Sequence, residues 1–168
     1  MIPLSVYLFL LVELIAVSYL DILYKKISNY WPIMNIAFFL AFLIFMSDTY
    51  KVNFETFFYS IAFLGVGFFL YMIRVMGAGD SKFLFSFYIM VPSSFHESAF
   101  ICLIYSVFLI GGGFFVKNIF VNRQKIYNDV MTKNVVGIKM VFGKKFAFAP
   151  VILVSWIWFG IKNKDFLF

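Results

Sequence analysis

The sequence predicts an all-α, polytopic integral membrane protein with a bundle of about six transmembrane helices. Of its 168 residues, 64% are hydrophobic, 23% are aromatic and only 13% are charged. This composition is too apolar for a soluble core with a solvated shell. Apolar runs of near-membrane length alternate with short segments that carry the charges. Residues 1–168 are therefore interpreted as a single membrane domain.

Six apolar segments follow from the roughly 17 to 25 apolar residues that a helix needs to cross a membrane. The fourth segment is short, because thirteen helical residues reach only about 20 Å. It must thin the membrane locally, start below the membrane surface, or borrow residues from the preceding Gly77-Ala78-Gly79. The triplet Gly111-Gly112-Gly113 predicts close helix packing or a kink in the fifth segment. The segments are residues 2–23, 31–47, 54–74, 80–92, 98–116 and 146–162.

The basic residues predict the orientation, because cytoplasmic connections carry an excess of Lys and Arg. Only Lys51, Lys162 and Lys164 fall on the opposite side from the rest. Both termini are therefore expected outside, with the connections after segments 1, 3 and 5 in the cytoplasm. The basic residues on the cytoplasmic side are Lys25, Lys26, Arg74, Lys82, Lys117, Arg123, Lys125, Lys133, Lys139, Lys144 and Lys145.

Charge and cysteine content disfavour several other classes of protein. The formal net charge is +6, but the basic residues lie in connections rather than along one polar face, so no nucleic acid partner is expected. Cys102 is the single cysteine, which rules out an intrachain disulfide or a cysteine zinc site. His96 and Glu97, between segments 4 and 5, are too few for a metal site. No metal and no cofactor are predicted.

Asp21 and Asp80 are the candidate catalytic residues. Asp21 ends segment 1 and Asp80 begins segment 4, so the predicted topology brings both to the cytoplasmic face. Two carboxylates held a few ångströms apart share a proton; one then activates a water, while the other donates to a substrate carbonyl. This is the chemistry of aspartic peptide hydrolysis. Which Asp acts as the base stays open.

The glycines and lysines beside these carboxylates have structural and functional interpretations. Gly77 and Gly79 allow the backbone to approach closely. Lys25 follows Asp21 by four residues and is therefore expected on the same helical face. Lys82, like Lys25, either reaches lipid headgroups or contacts a substrate.

Three further residues near the first segment carry open alternatives. Lys26 has the same two interpretations as Lys25. Asn29 either caps the first helix, which is favoured, or hydrogen-bonds a substrate backbone. Glu13 lies two turns before Asp21 on roughly the same helical face. The favoured interpretation of Glu13 is a protonated acid bonded to a neighbouring helix, and the alternative is a substrate contact.

Three segments carry a resemblance to a known family. Gly77-Ala78-Gly79-Asp80-Ser81-Lys82 resembles the GxGDxK signature of the type IV prepilin peptidases. Asp21-Ile22-Leu23-Tyr24-Lys25-Lys26-Ile27-Ser28-Asn29 resembles their upstream pattern of Asp, two basic residues and Ile-Pro-Asn, with Ser28 in place of Pro. Phe146-Ala147-Phe148-Ala149-Pro150 is similar to the Pro-Tyr-Ala-Pro that begins their last span, with Phe146 in place of the first Pro.

The resemblance implies a multi-pass aspartic endopeptidase of a bacterial-type inner membrane, similar in size to the compact members of tight-adherence pilus systems. It implies removal of the short basic leader from prepilins, with prepilin and membrane lipids as partners. Asp21 and Asp80 would be catalytic. The candidates for substrate binding or support are Gly77, Gly79, Lys82, Lys25, Lys26 and Asn29. The resemblance implies no cofactor and gives no support for N-methylation.

Two alternative functions stay open. One is the broader class of GxGD intramembrane proteases, which place a Tyr before the first Asp, where this chain has Leu20. The other is a transporter or pilus-assembly scaffold in which Asp21 and Asp80 relay protons or bind a cation. Glu13 is the only candidate for extending such a relay across the membrane.

Overall fold

The structure is a computed structural model that describes residues 3–72, 76–132 and 147–164 of the chain. All regular elements in these ranges are helical, which confirms the all-α prediction. Ser93–Phe95 forms a 3₁₀ turn before α5, and Val107–Gly111 forms a π-helical segment after it. The α-helices are α1 Leu4–Tyr24, α2 Tyr30–Phe45, α3 Phe54–Met72, α4 Ala78–Met90, α5 His96–Ser106, α6 Gly112–Val121, α7 Arg123–Met131 and α8 Ala149–Lys162.

Three of the described helical stretches are long and apolar enough to cross a membrane: Leu4–Tyr24, Phe54–Met72 and Ser93–Val121. The helices α2 and α8 are apolar but shorter, with 16 and 14 residues. The count of six spans and the orientation stay predictions. Several residues used for them lie outside the described ranges, namely Arg74, Lys133, Lys139, Lys144, Lys145 and Phe146.

Helix α4 is enclosed by the rest of the protein. It has only 13 residues, and nine of them are buried. Helices α2 and α3 pack along it, and the ring of Phe87 meets that of Trp156 on α8 at 5.2 Å between centroids. A helix surrounded by protein does not have to match the thickness of the bilayer. This enclosure explains physically why α4 is shorter than a membrane crossing requires.

Helix α8 packs between α1 and α5. The indole Nε1 of Trp156 donates to the carbonyl oxygen of Tyr7 at 3.2 Å, and the two rings stack at 5.2 Å. Gly160 lies where a Cβ atom would collide with the Tyr7 ring and hydroxyl. Contact between α1 and α8 is therefore close, and it fixes the helix that carries Asp21 against the last described helix.

His96 is the first residue of α5 and is buried inside the protein. Its side chain is 1% exposed, and its Nε2 lies 2.9 Å from the Tyr88 carbonyl oxygen and 2.8 Å from that of Val91. Because carbonyl oxygens only accept hydrogen bonds, Nε2 carries the hydrogen. His96 thereby ties the end of α4 to the start of α5, which is a structural role.

The glycine triplet makes no close helix contact among the described residues. A Cβ atom on Gly111, Gly112 or Gly113 would meet nothing within 4 Å, so the packing interpretation is wrong for this part of the structure. The π-helical segment ends at Gly111. The alternative interpretation, a kink, stays a prediction.

Candidate active site

Asp80 lies in the first turn of α4, with its side chain 8% exposed. The backbone nitrogen of Gly77 donates to Asp80 Oδ2 at 3.0 Å, and the backbone nitrogen of Asp80 donates to the Gly77 carbonyl oxygen at 3.1 Å. Free amide groups give a helix N-terminus a partial positive charge, which stabilises a carboxylate. The Gly77 turn thus holds the Asp80 carboxylate in place at the start of its own helix.

Asp21 lies near the end of α1, and its side chain is 3% exposed. The backbone nitrogen of Ala149 donates to Asp21 Oδ2 at 3.1 Å. Ala149 is the first residue of α8, so Asp21 also accepts a hydrogen bond at a helix N-terminus, although from another helix. Each of the two carboxylates is therefore oriented by a backbone amide.

The segments that carry the two carboxyl groups meet, because Gly79, beside Asp80, lies against Ile27 of the turn that follows Asp21, and the charge of Asp21 makes a minor contribution to the electrostatics of Asp80. Each uses its Oδ2 atom in the bond just described, and among the described residues neither Oδ1 accepts a hydrogen bond. Burial and mutual repulsion disfavour two simultaneous negative charges. Two buried carboxyl groups are the components from which a proton-sharing pair is built.

A tight turn connects the two sides of the site. Lys25 ends α1 in the left-handed conformation, at φ 53°, and its backbone nitrogen donates to the Asp21 carbonyl oxygen at 2.9 Å. The chain then places Ile27, 4% exposed, against Gly79. A Cβ atom on Gly79 would lie 2.7 Å from the Ile27 carbonyl oxygen. The absence of a side chain at Gly79 thus allows the turn after α1 to approach the start of α4.

Two expectations about the supporting residues are wrong. Lys25 lies beyond the end of α1, so it does not share a helical face with Asp21. Asn29 does not cap α1, because Lys25 occupies that position, and its side chain makes no capping hydrogen bond to α2.

The structure groups some of the candidate residues and separates others. It brings Gly77 and Gly79 to the carboxylates, whereas Lys25, Lys26, Lys82 and Asn29 are exposed. The lysines and Asn29 are therefore accessible to lipid or substrate.

A cleft of about 710 Å³ opens beside this site, between the end of α1 and the start of α2. Lys26 and Asn29 line the cleft, as does Ile27, whose other side meets Gly79. Neither Asp21 nor Asp80 is among the described lining residues. Ile27 thus belongs both to the lining of the cleft and to the contact with Gly79, the residue before Asp80. No group of three or more His, Cys, Asp or Glu residues suited to a metal ion occurs in the described part of the chain.

Two elements of the site were missed from the sequence. The backbone nitrogen of Ala149 carries no side-chain signature, although the segment 146–150 was recognised as the start of a helix. Ile27 lies within the recognised pattern after Asp21, but its contact with Gly79 joins positions far apart in the chain. Only the folded structure shows that the Ala149 nitrogen binds Asp21 and that Ile27 contacts Gly79.

The described ranges are all-helical and hold two buried carboxyl groups, each oriented by a backbone amide, and a pair of carboxyl groups is what aspartic hydrolysis requires. The chain belongs to the type IV leader peptidase family, whose family model matches residues 8–116. This confirms the resemblance found in the sequence, and the matched range contains both Asp21 and Asp80. Membership makes the chain a peptidase and, with its apolar helices, indicates a membrane protein. No curated protein and no solved structure matches significantly.

Proposed function

We propose that this peptidase is a multi-pass aspartic endopeptidase of the cytoplasmic membrane that removes the short basic leader from prepilin-like proteins. The observation that carries the proposal is geometric: Asp21 and Asp80 are both buried, each is held by a backbone amide, and the segments that carry them meet where Ile27 contacts Gly79. Family membership supports the substrate class. The predicted topology would place the two residues near the cytoplasmic face.

Asp21 and Asp80 would act as a pair that shares one proton. The ionised carboxylate takes a proton from a water as the water oxygen bonds to the scissile carbonyl carbon. The protonated partner gives its proton to the carbonyl oxygen at the same time. When the tetrahedral intermediate collapses, the carbon–nitrogen bond breaks, the protonated member of the pair gives its proton to the leaving nitrogen, and the other member takes a proton from one hydroxyl group of the intermediate, so that the pair again holds one proton. The amides of Gly77 and Ala149 would keep both carboxyl groups oriented throughout.

The substrate would be a membrane segment with a basic leader in front of an apolar helix. A helical backbone uses its carbonyl groups in internal hydrogen bonds, and these bonds are strongly favoured in a membrane. The junction between leader and helix must therefore unwind before its carbonyl carbon can meet a water. The cleft that Lys26 and Asn29 line is also lined by Ile27, and the unwound junction would approach the carboxylates past the Ile27 turn.

The test is leader removal by the purified protein. A prepilin-like substrate, with a basic leader followed by an apolar helix, is incubated with the protein in lipid vesicles, and the products are measured by mass spectrometry. One cut next to the leader supports the proposal. Cuts scattered inside the apolar helix would favour a broader intramembrane protease. An intact substrate combined with proton flux across the vesicle membrane would favour a transporter.

A further inference from the structure

A second buried polar cluster lies deeper in the protein and joins three helices. Glu13 on α1 is 3% exposed, and Asn35 on α2 and Ser86 on α4 are each 0% exposed. Both carboxyl oxygens of Glu13 and the Oδ1 of Asn35 lack a hydrogen bond within the described residues. Buried polar atoms without partners are costly. Three such atoms in one cluster therefore call for an arrangement that satisfies them together.

The hydrogen-bond donors of the cluster can be assigned one after another, starting from Ser86. The Ser86 hydroxyl donates to the Phe83 carbonyl oxygen at 3.0 Å, so its only hydrogen is used. The Ser86 oxygen must then accept from Asn35, whose Nδ2 lies 3.4 Å away. This fixes the orientation of the Asn35 amide. The Asn35 Oδ1 is left facing away from Ser86, and because it is an acceptor it requires a separate donor.

Glu13 is the group that can supply this donor. Its carboxyl group interacts with the Asn35 side chain, but an ionised carboxylate has no hydrogen to give. A protonated carboxyl group has one hydrogen and one carbonyl oxygen. It would pair with a carboxamide through two bonds, one from the Glu13 hydroxyl to Asn35 Oδ1 and one from the second Asn35 Nδ2 hydrogen to Glu13. This pairing uses all three unpartnered oxygens.

We propose that Glu13 is a neutral carboxylic acid that pairs with Asn35 and positions the catalytic carboxylates through it. Glu13 precedes Asp21 on α1 by about 12 Å of helix, and Ser86 follows Asp80 on α4 by about 9 Å of helix. The chain of bonds from Glu13 through Asn35 to Ser86 thus links the two helices that carry the pair. Its catalytic consequence rests on the proposed function of Asp21 and Asp80.

Two variants of Glu13 separate positioning from ionisation. Glu13→Gln keeps a donor and an acceptor of the same shape, whereas Glu13→Leu keeps only the volume. We expect Glu13→Gln to retain kcat within about threefold of the original protein. We expect Glu13→Leu to lower kcat by about 10- to 100-fold with KM unchanged, because small displacements of reacting groups have effects of this size. Asn35→Leu should resemble Glu13→Leu, and the double variant should lose little more than either one.

The control for general destabilisation is Leu14→Ala, one residue further along α1. Leu14 is 0% exposed, and its truncation should lower the Tm while kcat at low temperature is kept. A loss of kcat in Glu13→Gln equal to that in Glu13→Leu would overturn the proposal, since it would mean that Glu13 acts as an ion. Unchanged kcat in Glu13→Leu would overturn it as well.

Infrared spectroscopy tests the protonation without any substrate. At neutral pH the original protein should show the carbonyl stretch of protonated Glu13 in addition to any band from the proton that Asp21 and Asp80 share, and the Glu13 band should be absent from Glu13→Gln but persist in Asp21→Asn. If no such band depends on Glu13, the acid–amide pair does not exist. Because this measurement does not depend on peptidase activity, failure of the proposed function and failure of the pairing give different results.

Discussion

Gly79→Ala is the sharpest perturbation of the candidate site that leaves both carboxylates in place. The added Cβ atom would lie 2.7 Å from the Ile27 carbonyl oxygen, where ordinary contact begins at 3.4 Å. The start of α4 or the turn after α1 must therefore move by about 0.7 Å, because the obstacle is backbone rather than a flexible side chain. The movement is forced at the point where these two segments meet.

The expected cost follows from two opposed effects. Overpacking of this kind destabilises by about 1–3 kcal/mol, and the better helix propensity of Ala offsets about 1 kcal/mol of that. The net loss of stability is then at most about 2 kcal/mol, so the protein should fold. The catalytic rate should decrease more than the stability does, since a displacement of 1 Å in the site can lower a rate by about 100-fold. We expect kcat for leader removal to fall by about 10- to 100-fold.

The assay is leader cleavage followed by mass spectrometry, with the Tm measured on the same samples. Gly65→Ala is the matched control, because Gly65 is exposed on α3 and a Cβ atom there meets nothing within 4 Å among the described residues. It should keep kcat and show an equal or higher Tm. If Gly79→Ala cleaved as fast as the Gly65→Ala control, the contact between Ile27 and Gly79 would not set the geometry of the site.

The remaining predictions concern pH and His96. The kcat/KM for leader removal should show a bell-shaped dependence on pH. The active form is the singly protonated pair, which is lost when acid adds a second proton and when alkali removes the first. A monotonic profile of kcat/KM would argue against a shared proton. His96→Ala should lower stability by about 2–4 kcal/mol through the cavity and the unpaired carbonyl groups of Tyr88 and Val91. Thermal unfolding measures this loss, and cleavage at low temperature should be unchanged. The exposed neighbour provides the control, since Glu97→Gln should change neither the Tm nor the cleavage rate. Equal Tm values for His96→Ala and Glu97→Gln would refute the structural role of His96.

The positions of the helices were largely predictable, because an apolar run long enough for a membrane has few alternatives to a helix. The ends were less so. The fifth segment was predicted at 98–116, whereas helical structure extends over Ser93–Val121. Hydropathy stops where Lys117 introduces a charge, but backbone hydrogen bonding continues through it. The residue at which α1 ends was not predictable either, since a lysine such as Lys25 gives no sequence signal for the left-handed conformation.

Topology predicted that Asp21 and Asp80 would come to the same place, and the structure brings together the segments that carry them, at the contact of Ile27 with Gly79. Their catalytic role stays a proposal. What the sequence did not predict are contacts made by backbone atoms across long separations, such as the bond from Ala149 to Asp21. The enclosure of α4 was also missed, because hydrophobic residues predict burial without indicating whether lipid or protein covers them.

The most direct test of the account is leader removal by Asp21→Asn and Asp80→Asn, measured by the mass of the products from a prepilin-like substrate. Asp48→Asn is the matched control, since Asp48 is exposed between α2 and α3. An amide cannot act as base or share the proton, so each of the first two variants should lose at least about 100-fold in rate while remaining folded. Asp48→Asn should cleave normally. Substantial leader removal by either Asp21→Asn or Asp80→Asn would contradict the proposed pair.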